Sequence, residues 1–114
     1  MSERTDIRNT DSFDALLQEL ENYPSQYVGS EPNVDRVTCF IRGWLFGRGG
    51  HVYEAGHHFL SEFREFLLDR LEISRGYGYD WESLIILGSS NSPAGVRHLF
   101  RMIHEFRRSK GDQT

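Results

Sequence analysis

The order of apolar and polar residues along the chain predicts a series of amphipathic helices. From residue 13 onward, apolar side chains recur at the i, i+3, i+4 and i+7 spacing that collects them on one face of an α-helix. Four stretches have this spacing, with apolar stripes at Phe13, Leu16, Leu17, Leu20 and Tyr23; Val34, Val37, Ile41, Trp44 and Leu45; Phe59, Phe63, Phe66, Leu67 and Leu71; and Val96, Leu99, Phe100, Ile103 and Phe106. Stripes of this kind bury themselves against one another, so the pattern predicts a helical bundle.

A shorter apolar run at residues 84–87 allows two interpretations. It fits a short helix that begins after Asp80 and includes Trp81, or a buried strand, because so short a run does not reveal its period. The predicted fold is all-α: a compact bundle of four or five helices, with one short strand or hairpin near residues 76–87 as the alternative.

Residues with short polar side chains mark where these helices begin. Such side chains can accept a hydrogen bond from a free N–H of the first turn, and they stand at Ser12, Asn33, Asp80 and Ser92. Pro93 suits the first position of the last helix. The glycines within 47–50 predict a break, after which the longest helix runs over residues 54–71. Residues 25–32 have a turn composition and predict an ordered connection.

Two residues of the second predicted helix carry expectations of their own. Cys39 has apolar neighbours and is predicted to be a small buried residue, which would suppress its reactivity as a nucleophile. Gly43 interrupts the apolar stripe, and its missing side chain predicts the close approach of a neighbouring helix.

The chain is predicted to form a single domain over residues 1–114, with residues 1–11 and 109–114 flexible. Its polar start lacks the apolar centre of a signal peptide, and no apolar run approaches the roughly 20 residues that cross a bilayer. Cys39 is the only cysteine, so no internal disulfide can form. We therefore expect a cytoplasmic protein without a membrane partner.

The net charge of −4 is unevenly distributed along the chain. Residues 1–35 contain eight acidic side chains against Arg4 and Arg8, which favours a basic protein partner over a nucleic acid. Positive charge is concentrated near the end, at Arg97, Arg101, Arg107, Arg108 and Lys110. This cluster is typical of a solvated helix face, and it leaves a nucleic-acid-associated regulator as an alternative function.

A second alternative is a metalloprotein built from carboxylates and histidines. Glu54, His57, His58 and Glu62 lie near one another on one predicted helix, and the first two form a Glu-x-x-His motif. Carboxylate di-iron sites need this motif on two helices, and no second copy exists in the sequence. An exposed polar helix face is the favoured interpretation, and we expect neither a metal nor another cofactor.

No catalytic motif is apparent in the sequence. The glycines at 47–50 lack the strand before them and the Lys-Ser/Thr ending of a phosphate loop, and residues 88–91 lack a Gly-x-Ser-x-Gly elbow. We therefore expect a protein that is not an enzyme.

The tyrosine loop, residues 77–82, contains the predicted partner-binding residues. They are Tyr77, Tyr79, Asp80 and Glu82. Tyrosine provides a large contact area at a small entropic cost, and the glycines beside both tyrosines allow their display at the surface. Packing at the edge of the core is the more common fate of such residues and stays the alternative. The adjacent carboxylates would select a basic partner.

Several segments resemble a known family. Residues 23–30 (Tyr-Pro-Ser-Gln-Tyr-Val-Gly-Ser) and 40–44 (Phe-Ile-Arg-Gly-Trp) resemble the Pro-x-x-Tyr-x-Gly-Ser and Phe-x-x-Gly-aromatic opening of small bacterial immunity proteins encoded beside polymorphic contact-dependent or secreted toxins. Residues 63–71, 81–86 and 99–106 look like the rest of that pattern, so the resemblance covers residues 20–107. It implies an antitoxin that blocks a cognate toxin protein by stoichiometric binding in the cytoplasm, and it implies no catalytic residues.

Overall fold

Six α-helices and one 3₁₀ turn form the regular structure of residues 4–111, the part of the chain that the computed structural model describes. The helices are α1 (Phe13–Asn22), α2 (Pro24–Val28), α3 (Val34–Arg48), α4 (Gly50–Leu71), α5 (Trp81–Gly88) and α6 (Pro93–Ser109), and the 3₁₀ turn is Arg75–Tyr77. The all-α prediction is confirmed. None of the helices within residues 4–111 has both the length and the apolar character that crossing a membrane requires.

Two details of the predicted fold are wrong. The number of helices is six because α2, within a stretch expected to be only a connection, is a five-residue helix with Pro24 at its first position. Five residues are too few to show a helical period in the sequence. The strand alternative also fails, since residues 84–87 lie inside α5, where Leu84 and Ile85 are buried.

All four predicted capping residues begin helices. Ser12 accepts from the N–H of Ala15, Asn33 from Arg36, Asp80 from Ser83 and Ser92 from Ala94, at 2.8 to 3.2 Å. The break between α3 and α4 is shorter than predicted, because Gly49 and Gly50 alone reverse the chain with φ angles of 67° and 52°. This left-handed backbone favours glycine, and it lets α4 begin four residues before the predicted start at 54.

The core lies where the stripes of α4 and α6 meet. Phe63 is fully buried, and its ring lies 5.7 Å from Phe106 and 6.3 Å from Trp81. Phe59 and Phe66 are partly buried and contact Phe106 from either side of Phe63. These contacts confirm the predicted inward direction of the stripes and fix α5 against α4 through Trp81.

The expectations for Cys39 and Gly43 are wrong for one geometric reason. Each lies two residues from the buried Ile41, about 200° around the helix, and therefore on its outer face. Cys39 is exposed, so burial does not shield its thiol, and a Cβ on Gly43 would meet nothing within 4 Å. The close approach uses Gly56 of α4 instead, where a Cβ would lie 2.4 Å from Leu45.

The segment 4–11, within the stretch expected to be flexible, packs on α1 and α3. Ile7 is buried, and its carbonyl accepts hydrogen bonds of 2.7 Å from both Trp44 and Arg48. The Arg4 guanidinium lies 3.6 Å from the centre of the Tyr23 ring. At the other predicted flexible end, Ser109 closes α6 and donates a hydrogen bond to the Phe106 carbonyl. Residues 1–3 and 112–114 lie outside the described residues.

Candidate protein-binding site

A surface groove of about 580 Å³ lies between α3, α4 and the start of α5; we call it the α3–α4 groove. Its lining residues are Arg42, Gly43, Leu45, Phe46, Tyr53, His57, Leu60, Ser61, Arg64, Asp80 and Trp81. The two helices touch where Gly56 meets Leu45, and the groove opens beside this contact. Gly43 contributes no side chain to the α3 side of the groove, so the groove is open at that position. The sequence therefore builds a fixed helical frame around an open, largely apolar concavity.

Exposed aromatic rings stand at this groove. Phe46 is 83% exposed, and Tyr53 is also exposed, with its ring stacked 5.8 Å from that of His57. Large apolar side chains that cluster at a concave surface are typical of interaction sites, whereas a single one has no such meaning. The groove has the character of a place where another molecule binds.

The tyrosine loop borders the same groove. Arg64, which lines the groove, donates a hydrogen bond to the carbonyl of Tyr79, and Asp80 lines the groove directly. Tyr77 is 72% exposed, and its ring stacks on that of Tyr79 at 6.0 Å. Both tyrosines are exposed, and Asp80 and the hydrogen bond from Arg64 place their loop beside the groove, but neither ring lines it. Their use as partner contacts stays a prediction.

Asp80 combines a structural and an electrostatic role. It caps α5 by accepting from the N–H of Ser83, and its carboxylate lies 3.4 Å from Nη2 of Arg42. Burial alone would raise the pKa of Asp80. The hydrogen bonds from Ser83 and the positive charge of Arg42 outweigh that effect and lower the pKa. Asp80 is therefore a fixed negative charge at the rim of the groove.

Glu82 differs from the other three predicted residues because it turns away from the loop toward α3. Its side chain is only 15% exposed and lies 3.9 Å from Nη1 of Arg42. Its Oε2 atom is buried and has no hydrogen-bond donor among residues 4–111. Burial raises the pKa of Glu82 to about 7, and the nearby Asp35 carboxylate adds to the shift. Glu82 is thus a largely buried carboxyl group next to Arg42, and its use as a partner contact stays a prediction.

Sequence reasoning missed the groove residues outside the tyrosine loop. Phe46, Tyr53 and His57 come from helices whose outer faces were interpreted as ordinary polar surface. One signal was present: Phe46 is a large aromatic residue that lies outside the apolar stripe of its helix. A ring in that position points away from the core that buries the stripe, and Phe46 is indeed exposed.

The candidate metal residues do not converge. His57 stacks on Tyr53, whereas His58 lies 3.5 Å from Glu62, which also pairs with Lys110. The hydrogen bond from Lys110 lowers the pKa of Glu62. Over residues 4–111, no group of three or more His, Cys, Asp or Glu side chains is placed to hold a metal ion.

Most charges of the acidic first third are compensated inside the molecule. The ion pairs are Glu19–Arg4, Asp6–Arg8, Asp11–Arg48 and Asp14–Arg107, and Glu21 is hydrogen-bonded to His104. Glu31 and Asp35 form no ion pair within the described residues. The basic cluster is divided in the same way, since Arg107 is buried and Lys110 pairs with Glu62. The surface is therefore less polarised than the sequence suggests.

Comparisons of the chain with protein-family models, with curated proteins and with solved structures find no match. The resemblance of residues 20–107 to immunity proteins accordingly stays a prediction from motifs. The features of the molecule that support a functional inference are the groove and the exposed rings at it.

Proposed function

We propose that this protein is an immunity protein that neutralises a cognate bacterial toxin domain by direct stoichiometric binding. The binding surface consists of the α3–α4 groove and the adjoining tyrosines, Tyr77 and Tyr79. The observation that carries the proposal is the grouping of exposed aromatic rings around one concavity, and the motif resemblance supplies the class of partner. Neither the exposed rings nor the motif resemblance requires a catalytic group.

Protein interfaces obtain most of their affinity from few residues. A few large side chains, above all Tyr, Trp and Arg, supply most of the binding free energy when they are fully desolvated. Phe46 and the two tyrosines are held on helices or beside a helix start, so little conformational entropy is lost when they are covered. Arg42 and Arg64 add polar contacts at the rim.

The test is protection of cells against the toxin domain encoded beside this chain. The wild-type protein is expected to restore growth and to bind the purified toxin domain at a ratio of one to one. Phe46→Ala, and a double change of Tyr77→Ala and Tyr79→Ala, are each expected to weaken binding about thirtyfold or more, because truncating a central anchor typically costs about 2 kcal/mol.

Leu87→Ala is the matched control, because Leu87 is 58% exposed but does not line the groove. It should bind and protect like wild type, and thermal melts should show that all variants are folded. Failure of the wild type to bind or protect would refute the proposed function. Full binding by folded Phe46 and tyrosine variants would leave the function standing but place the interface elsewhere.

A further inference from the structure

Three arginines on the outer face of α6 have no ion-pair partner within residues 4–111. Every other lysine and arginine of the chain pairs with a carboxylate, apart from one arginine on α3. The unpaired arginines are Arg36 on α3 and Arg97, Arg101 and Arg108 on α6, and all of them are exposed. Most of the uncompensated positive charge of the described chain is therefore collected on one helix.

The three side chains leave α6 in nearly the same direction. Each residue of an α-helix turns by about 100°, so Arg101 and Arg108 lie within about 40° of Arg97 around the helix axis. Along that axis the three residues span about 17 Å. We call them the arginine row. They form a straight, positively charged line on the surface.

The fold itself gains little from the arginine row. Like charges four positions apart on a helix repel each other, which applies to Arg97 and Arg101. The helix dipole favours a positive charge at the C-terminal end, where Arg108 lies, but not near the N-terminal end, where Arg97 lies. Glu105, four positions after Arg101, is already paired with Arg70. A negatively charged partner would stabilise the row, whereas nothing on its own helix does.

A pocket of about 420 Å³ lies at the first residue of the row, and this volume is within the usual range for small-ligand sites. Its lining residues are Glu21, Asn22, Pro24, Pro32, Pro93, Val96, Arg97 and Phe100. The proline rings provide apolar walls, and the Asn22 amide offers both hydrogen-bond donors and an acceptor. Arg97 and Glu21, which is hydrogen-bonded to His104 at 2.9 Å, are the two charged residues of the lining, and they have opposite signs. The pocket therefore suits an uncharged group with an apolar body and polar edges.

We propose that this surface binds single-stranded nucleic acid, with phosphates along the arginine row and one base in the adjoining pocket. Phosphates repeat regularly along a strand, and a guanidinium group binds phosphate through two parallel hydrogen bonds. Proteins that bind single strands combine a positively charged track with a place for a base. An acidic peptide would match the row but leave the pocket empty, and a duplex keeps its bases stacked inside.

The arginine row is separate from the surface assigned to the toxin. No residue that the structure places in the lining of the α3–α4 groove belongs to α6. Binding of a nucleic acid strand is therefore a second activity beside the proposed function, and each can be removed without the other.

The experiment is fluorescence anisotropy of a labelled oligothymidylate, about twelve nucleotides long, titrated with the full-length protein. Three phosphate contacts on a single strand predict that the logarithm of the association constant falls with the logarithm of salt concentration at a slope of about −2. Binding should thus weaken about twentyfold between 50 and 200 mM salt. Arg101→Ala should weaken binding and reduce the size of the slope by about 0.7, whereas Arg101→Lys should keep the slope.

Arg36→Ala is the matched control. It removes the same charge from an exposed arginine that, like those of the row, has no ion pair in the described chain, but it lies outside the row and the pocket. It should keep the affinity and the salt slope of wild type, and thermal melts should show that all variants are folded. Equal losses in Arg36→Ala and Arg101→Ala would show that only net charge matters, which overturns the proposal.

Further probes test the base and the class of partner. An abasic strand of the same length carries the same phosphates, so it should bind with the same salt slope but about fivefold more weakly, because stacking of its base is lost. Oligouridylate, titrated alongside, identifies the preferred strand as RNA or DNA. If duplex DNA or a polyglutamate peptide of similar length binds as tightly as the single strands, or if no strand binds at 50 mM salt, the proposal is overturned while the proposed immunity function stands.

Discussion

Glu19 and Glu82 are two largely buried glutamates with opposite behaviour. The side chains are 6% and 15% exposed, so burial alone would raise both pKa values. Glu19 instead accepts hydrogen bonds from Arg4, the Tyr27 hydroxyl and the N–H of Thr5, and the Arg4 bond above all lowers its pKa to about 2. Glu82 lacks such donors, and its pKa rises to about 7.

The difference shows that hydrogen-bond donors, rather than the degree of burial, decide whether a carboxyl group stabilises this fold. Around Glu19 every bond closes a contact between the segment 4–11, α1 and α2, so the charge is part of the fold's own structure. Around Glu82, Arg42 at 3.9 Å is the compensating charge, and the neighbouring Asp35 carboxylate opposes ionisation of the Glu82 side chain. The Glu82 charge therefore opposes folding, whereas the Glu19 charge supports it.

The largest expected effect comes from removing the charge of Glu19, whose carboxylate has its hydrogen-bond donors. Glu19→Gln should lower the free energy of unfolding by about 2 kcal/mol at pH 7, because the charge-assisted hydrogen bonds from Arg4 and Tyr27 are weakened. Urea denaturation of both proteins measures this difference. Glu21→Gln, on the same helix but paired with the half-exposed His104, is the control and should lose less than about 1 kcal/mol.

The pH dependence of that difference follows from the lowered pKa. A group whose folded pKa lies below its ordinary value of 4.5 stabilises the fold above pH 4.5, and this stabilisation is lost as the pH falls toward 2. Wild type and Glu19→Gln should therefore converge in stability near pH 2. A constant difference between pH 7 and pH 2 would contradict the role assigned to the Glu19 charge.

The opposite dependence of stability on pH is expected for Glu82, whose carboxyl group lacks hydrogen-bond donors among the described residues. The raised pKa of Glu82 means that its contribution is fully present below pH 4.5 and is lost as the pH rises through about 7. Glu82→Gln keeps the neutral form at every pH. It should exceed wild type by about 1–2 kcal/mol at pH 8 and match it below about pH 4. Equal stability of the two proteins at pH 8 would show that Glu82 is not destabilised by its surroundings.

The long helices were predictable because their stripes and caps are local. Leu16, Ile41 and Phe63 lie in stretches long enough to show the helical period, and Ser12 or Asp80 needs only its own first turn to act as a cap. The five residues of α2 contain too little pattern, and residues 84–87 became helical because Asp80 and the buried Trp81 start α5 ahead of them.

The candidate site was only half predictable, because it depends on how distant segments meet. The glycines beside Tyr77 and Tyr79 correctly indicated that both side chains are exposed. Glu82 looked like part of the same loop, but the packing of α5 turns it toward Asp35 on α3, forty-seven positions earlier in the sequence. The groove itself arises from the Leu45–Gly56 contact between two helices, which no local pattern specifies.

The smallest effect is expected at His57 and His58, which have no network like that of Glu19. His57 stacks on the exposed Tyr53, and His58 has a single exposed partner, Glu62, at 3.5 Å. Replacing either by alanine should change the free energy of unfolding by less than about 0.5 kcal/mol, because exposed positions outside special contacts contribute little. The stability measurement should be paired with elemental analysis of protein purified without an affinity tag. Stoichiometric metal that disappears in either variant would contradict this prediction. It would show that these histidines are ligands of a metal site and that their contribution to stability comes from coordination.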